Sequence, residues 1–377
     1  MNIFNVKNFI YLLFTFSVSN TIAQQISVAK WEQIIPSKSI PSNIDCKKSN
    51  NNLDVVFYNE KYYLAFRTAP THFASKKTRL FVMSSKDFIT WEYETEFFVE
   101  ADIREPRFSI FKDKLFLYFF EGGTKMFRFQ PKYIWATELN DTGWSKKINT
   151  NLDGYVDWRF RTLGNTLYLS AYYGVDLYQN DHKANLRLFS SEDGFNFKPI
   201  SIEPQVNERG AEEGEFIFDK EGNLWATVRL EGSGSLLCFA HKDSLDIWET
   251  KFSKYKYDSA LLFEYKDDIY LIARNHLKGE ATPVRNPSDK QRRKNLIRYS
   301  FSKKVTALYK IDKENMLVKH IMDFESTGDN AFPGIAIRNE NSFYLLNYSS
   351  NINKREKIWI AGQLGKTFIY KTILEFK

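Results

Sequence analysis

The chain has 377 residues, with 53 Lys and Arg against 46 Asp and Glu, and 16% of it is aromatic. A formal charge of +7 spread along the whole length is too diffuse for a nucleic-acid surface, for which there is also no motif, and is compatible with an acidic ligand. Cys46 and Cys238 are too few for a disulfide framework, no His/Cys spacing or calcium loop points to a metal, and no glycine loop points to a phosphate cofactor, so no cofactor is implied.

Residues 1–23 read as a cleavable secretory signal: Lys7, then an apolar run at 9–18, then the small-residue site Thr21-Ile22-Ala23 before Gln24. The apolar run is too short to span a bilayer and no later stretch replaces it, so the expectation is an exported monomer with no membrane insertion. Residues 24–377 are expected to form one domain. Its opening segment, 31–52, carries two prolines and is expected to supply a strand that closes the fold.

From there a single unit recurs. LDVVFYNEKYYLAFR (53–67) is followed by REPRFSIFKDKLFLYFF (104–120), VDWRFRTLGNTLYLSAYY (156–173), EEGEFIFDKEGNLWATVR (212–229), SALLFEYKDDIYLIAR (259–274) and DNAFPGIAIRNENSFYLLNYSS (329–350). Each reads as two alternating strands around a polar turn. One hairpin cannot bury its own apolar face, whereas sheets stacked around an axis bury each other's, so the repeat predicts an all-β, six-bladed β-propeller of four-stranded blades with these hairpins innermost. Cys238, inside the apolar run Leu236-Leu237-Cys238-Phe239, is expected to be a buried free thiol.

A second periodic signal pairs a polar turn with an aromatic. It occurs at Ser84-Ser85-Lys86-Asp87 before Trp91, at Ser190-Ser191-Glu192-Asp193-Gly194 before Phe197, and at His241-Lys242-Asp243 before Trp248. The longest interruption, 276–295, holds two prolines and is basic, with Arg285 and the run Arg292, Arg293 and Lys294. Its composition fits a solvated loop, or else a basic lid over an anionic ligand.

With the hairpins radial, strand starts and returning strand ends converge on one mouth of the axial channel. The starts supply Asp54, Asp102, Arg104, Glu105, Asp157, Arg159, Glu212, Glu213, Asp258, Asp329 and Asn330; the ends supply Arg67, His72, Glu121, Tyr172, Tyr173, Arg229, Glu231, Arg274, His276 and Tyr348. Guanidinium forks suit a carboxylate or sulfate, and carboxylates or His beside them serve as acid and base. The candidate substrate-binding residues are Arg67, Arg104, Arg159, Arg229, Arg274 and Tyr348. The candidate catalytic residues are His72, Glu213, Tyr173 and Asp157. Together they point to an acidic oligosaccharide or polysaccharide.

The polar turns resemble the Asp-box, Ser-x-Asp-x-Gly-x-x-Trp, of sialidases and BNR-repeat proteins, the middle copy through Ser190, Glu192, Gly194 and Phe197. Glu213 and Arg229, sixteen residues apart around an acidic-Gly turn, resemble the sialidase hairpin in which a Glu assists the nucleophile and an Arg grips the sialate carboxylate. Asp102-Ile103-Arg104-Glu105-Pro106 and Asp329-Asn330-Ala331-Phe332-Pro333-Gly334 are similar to blade starts of divergent members. The resemblance implies the propeller fold and a glycan ligand. The chain departs from it where the chemistry lies. Phe332 stands where the nucleophilic tyrosine belongs, Thr71-His72 where the acid Asp belongs, Asp54 near the first arginine of the triad, and no arginine matches the third near Lys303-Lys304.

Three chemistries follow. A hydrolase would use two carboxylates such as Glu213 with Asp157 or Asp102, and a binding module would need none. β-Elimination, by a lyase or a dehydratase, needs arginines to neutralise a uronate carboxylate, His72 or a tyrosine to remove the C5 proton, and an acid or tyrosine at the C4 oxygen. The rim inventory favours elimination.

Overall fold

The computed structural model describes residues 25–126, 129–175, 185–277 and 284–377; the predicted signal, 1–23, lies outside them. Six antiparallel sheets form six blades. Their first two strands are Ser49–Tyr58 and Lys61–Ala69 (blade 1), Ile103–Phe111 and Lys114–Glu121 (blade 2), Tyr155–Leu163 and Thr166–Tyr173 (blade 3), Ala211–Phe218 and Leu224–Leu230 (blade 4), Asp258–Tyr265 and Asp268–His276 (blade 5), and Asn330–Asn339 and Ser342–Ser349 (blade 6). These are the six predicted hairpins. Each first strand packs against the first strand of the next blade, so the hairpins are innermost and line the axis.

Closure comes from the chain's two ends. Ile26–Val28 and Glu32–Ile35 pair antiparallel with Phe368–Phe376 at the outer side of blade 6. The closing strands therefore begin upstream of the predicted 31–52, and Ser49 onward already belongs to blade 1. Aromatics fill the joints between blades: Tyr118 stacks on Phe160 at 3.8 Å, Tyr62 meets Tyr344 edge-on at 5.3 Å, and Tyr265 stacks on Phe376 at 4.1 Å.

The polar turns join the third and fourth strands at the blade periphery, one residue off the predicted register. In blade 3 Ser191 Oγ accepts from the Gly194 amide at 2.9 Å, and Asp193 Oδ1 accepts from Phe195 and Asn196 amides at 2.8 Å. Ser85 and Asp87 repeat the arrangement in blade 1. The Ser and Asp of the motif are thus Ser191 and Asp193, because only that spacing lets both side chains fold back onto turn amides. Cys46 and Cys238 are free, and Cys238 is buried.

The basic interruption is not all loop. Asp289–Ser300 is a helix, α1, capped by Ser288 Oγ, and Trp359–Leu364 forms a short second helix, α2. Only Asn295 and Tyr299 of α1 are buried, one helical turn apart, which leaves too weak an apolar period for the sequence to reveal.

Candidate functional site

Every inner strand breaks its pairing at the same height. The register shifts fall between Asn51 and Leu53, Arg104 and Arg107, Asp157 and Arg159, Glu212 and Glu215, Asp258 and Leu261, and Ala331 and Gly334. At five of these bulges a non-glycine residue takes a left-handed φ: Asn52 (41°), Glu105 (55°), Glu213 (47°), Ser259 (50°) and Phe332 (56°). All five line one cavity of about 410 Å³ at the channel mouth. A bulge re-aims a side chain, and here a ring of them turns side chains of the inner strands toward a single space, at the backbone strain typical of functional sites.

His72, Arg104, Glu213, Arg229, Arg274 and Tyr348 of the predicted set line this cavity. His72 lies in the loop after the blade 1 hairpin, with Nδ1 2.6 Å from Asp329 Oδ2, and Arg104 Nη2 donates to its carbonyl oxygen at 2.7 Å. Nδ1 also lies 3.1 Å from Asn51 Nδ2, so the tautomer depends on which of the two it bonds; with its proton turned to Asp329, Nε2 keeps its lone pair, and Nε2 makes no hydrogen bond among the described residues. Burial pulls the imidazole below its ordinary pKa and outweighs the pull of Asp329 in the other direction, so at neutral pH it is an uncharged base. Burial opposes ionisation of Asp329 too, but His72, Arg274 and the Tyr348 hydroxyl, which donates to Oδ1 at 3.0 Å, hold it below the usual range.

Arg229 and Glu213 face each other at 2.6 Å across the blade 4 hairpin, as their spacing implies. Arg229 also pairs with Glu212 and lies 3.3 Å from Glu231 and 3.7 Å from Asp258. Four carboxylates around one guanidinium make it an internal counter-ion. Arg104 is likewise paired with Asp102. Arg274 differs, for it donates to the Asn330 carbonyl at 2.6 and 3.0 Å and to the Tyr299 hydroxyl at 2.7 Å, and has no carboxylate in ion-pair contact among the described residues. Of the predicted arginines that line the cavity it is the one with no carboxylate in ion-pair contact, although Asp258 and Asp329 act on it at longer range.

The other four predicted residues lie outside the cavity. Arg67 is fully buried behind the wall and gives its fork to Asp102 at 2.7 and 3.1 Å. Arg159 sits further down the channel, bonded to Glu215 at 2.7 Å, and lines a separate cavity of about 460 Å³. Asp157 is fully buried, and burial pushes its carboxyl far above the ordinary range. Tyr173 packs edge-on against Tyr155 at 5.3 Å, while its neighbour Tyr172 lines the cavity, as the two-residue period of a strand requires.

Several wall residues had been given no role. Glu105 accepts from Asn52 Nδ2 at 3.2 Å through Oε1, and its Oε2 is buried without a hydrogen-bond partner among the described residues. Burial lifts its carboxyl to about 7, with Arg107 opposing and Glu213 adding to the rise. Arg107 lies under the cavity floor, its guanidinium 4.3 Å from the Phe332 ring and 5.0 Å from Trp158. Tyr299 of α1 donates to Asp258 at 3.0 Å, and Trp359 of α2 meets its ring at 5.0 Å. One signal was available for two of these positions: Pro106 and Pro333 follow Glu105 and Phe332 inside inner strands, where proline marks a bulge. No group of metal-ligating side chains occurs among the described residues, and no described helix is long and apolar enough to cross a membrane.

No family model and no curated protein matches the chain. Among solved structures it is similar to a protein of unknown function from Dyadobacter fermentans, at 13% identity and a TM-score of 0.67 over 93% of this chain and 99% of that one. It is also similar to Trypanosoma rangeli sialidase in complex with the inhibitor DANA, at 11% identity and a TM-score of 0.63 over 92% of this chain and 59% of that one. Phage phi92 endosialidase follows, at 11% and 0.56 over 85% and 66%. The chain thus spans little more than half the length of the trypanosomal enzyme, and at these identities the likeness is one of fold: the chain is a six-bladed β-propeller with the fold seen in these sialidases.

Proposed function

We propose that the chain is an exported carbohydrate-active enzyme that holds an acidic sugar in the axial mouth and acts on it by β-elimination. The observation that carries this reading is His72, with Nδ1 2.6 Å from Asp329 Oδ2, in the same cavity as Arg274, an arginine with no carboxylate in ion-pair contact among the described residues. Arg274 neutralises the uronate carboxylate and so acidifies the C5 proton. His72 Nε2 takes that proton, the electron pair forms the C4=C5 bond, and the C4 oxygen leaves with a proton from Glu105. Solvent then restores both residues. A sugar as leaving group makes the reaction a lyase step, a hydroxyl a dehydration.

Three further observations support it. Burial holds the Tyr348 and Tyr299 hydroxyls well above pH 10, so neither is a base and the imidazole is left with that role. Glu105, at about 7, is in part protonated at neutrality, as an acid must be. Phe332 offers no nucleophile. An acidic ligand also accords with the fold neighbours, one of which is a sialidase in complex with sialic acid.

A second reading, hydrolysis with Glu105 as acid and Glu213 as base, is favoured by one observation: both carboxyls line the cavity, and each is raised by burial. Incubation with a panel of acidic polysaccharides and their oligosaccharides separates the readings. Elimination yields a conjugated product that absorbs in the ultraviolet, hydrolysis yields reducing ends without that band, and a binding module yields neither. New reducing ends with no absorbance would overturn elimination.

A further inference from the structure

Helix α1 has two faces with different work. One holds the propeller: Asn295 Nδ2 donates to the Gly232 carbonyl at 2.8 Å, Arg292 Nε donates to the Glu231 carbonyl at 3.2 Å, and Tyr299 reaches Asp258. Leu296 and Ser300, at its edge, enter the cavity wall. Next around the helix, Lys290, Arg293, Lys294, Ile297, Arg298 and Phe301 follow the i, i+3, i+4, i+7, i+8, i+11 spacing of one stripe. All six are exposed, Ile297 at 62% and Phe301 at 63%.

The four cations of this stripe make no ion pair among the described residues. Asp289, at the start of the helix, is bonded to Arg209 and reaches Arg293 only through charge, while Glu208 and Glu356 pair with Arg285 and Lys303. Like charges three and four residues apart weaken a helix, and the sequence of α1 has little apolar burial to offset this. A stripe of net positive charge, about 12 Å long between Lys290 and Arg298 at helical rise, runs directly on from the cavity wall through Arg293 and Ile297.

We propose that this outer face of α1 is a docking rail for a polyanionic polysaccharide leaving the mouth, so that the ligand is a polymer segment and not a lone terminal sugar. The inference rests on the acidic-sugar reading for the nature of the ligand and extends it beyond the cavity. Charge complementarity selects a chain of carboxylates or sulfates, Arg293 and Arg298 offer forks for them, and Ile297 and Phe301 offer apolar surface to the C–H faces of the sugar rings. The rail begins where the cavity ends, so one chain engages both.

The test is binding of polygalacturonate, with neutral dextran as control, to the parent protein and to the triple variant Arg293→Gln, Lys294→Gln, Arg298→Gln, whose thermal unfolding is checked first. At low salt the triple variant should bind polygalacturonate at least about tenfold more weakly, and its log Kd should depend on log salt with a slope smaller by about three, one for each lost cation. If the triple variant does not fold, the single reversal Lys294→Glu carries the same expectation with a smaller loss. Equal affinity of parent and variant overturns the rail. So does loss of binding to phosphatidylglycerol vesicles with polygalacturonate binding untouched, which would make the stripe a membrane face. Polymer binding that depends on α1 but yields no unsaturated product leaves the rail standing and removes the elimination reading.

Discussion

The imidazole Nδ1 of His72 lies 2.6 Å from Asp329 Oδ2, so a loop from blade 1 and the first turn of blade 6 meet across the closure of the ring. With the Nδ1 proton turned to Asp329 and not to the side of Asn51, that contact leaves Nε2 for the cavity. It also makes the site depend on the same joint that holds the two ends of the chain together, because blade 6 is completed by the strands at 26–35.

His72→Asn should lower the rate of product formation by about 10²-fold or more while leaving Kd for the ligand within a few-fold, the signature of a lost general base. Asp329→Asn should lower kcat less. It should also shift the acidic limb of the pH–rate profile, since it removes the carboxylate that counters burial of the imidazole. An unaffected His72→Asn enzyme would move the assignment to the Glu105–Glu213 pair.

Glu105→Gln bears on both rate and stability. The carboxyl must be protonated to serve as acid, so activity of the parent should fall as pH rises through about 7, and Gln should abolish the reaction's acid catalysis at every pH. For stability the sign runs against the ionised form: the folded pKa lies above the ordinary 4.5, so nothing is lost below about pH 4, stability falls as pH climbs from there to about 7, and the loss levels off above that. The full loss is on the order of 3 kcal/mol. Gln keeps an oxygen for Asn52, so Glu105→Gln should melt with the parent at pH 4 and above it at pH 8.

Arg274 and Arg229 should separate. Arg274→Lys keeps a charge but loses the fork, and should weaken binding of a carboxylated sugar by about 2 kcal/mol or more while hardly affecting a carboxyl-reduced one. Arg229→Ala should instead destabilise the fold by about 3 to 5 kcal/mol, since it leaves Glu212, Glu213, Glu231 and Asp258 without their shared counter-ion. Thermal unfolding beside ligand titration distinguishes the two. An Arg229→Ala protein as stable as the parent, and weaker only toward carboxylated sugars, would restore Arg229 to the ligand.

Phe332→Tyr should give no gain in glycosidase activity. The ring lies over Arg107 and against Trp158, and elimination has no step for a nucleophile there. Reducing ends released by the tyrosine variant, and not by the parent, would bring hydrolysis forward.

The sequence by itself determined the architecture and the height of the site. Strand alternation is local and repeats six times, so the blade number, the hairpins and the convergence of charge at one mouth were all legible in it; counting back from the turn also brings Glu213 to Arg229, although the bulge makes Glu212 the residue in register and leaves Glu213 to reach Arg229 from the bulge. What only the tertiary structure decided is which charges are spent. Arg67, Arg229 and Arg274 end equivalent second strands and look alike in sequence, yet Arg67 is consumed by Asp102 of the next blade, Arg229 by four carboxylates, and Arg274 by neutral oxygens. The choice between Tyr172 and Tyr173 turned on a one-residue phase, and the raised carboxyl of Glu105 on a bulge whose strain no local pattern encodes beyond Pro106. Helix α1 escaped because its fold comes from docking on blade 4 and not from its own apolar period. A guanidinium's partners come from other blades, and pairing across blades is a property of distance in space, which a single chain read in order does not contain.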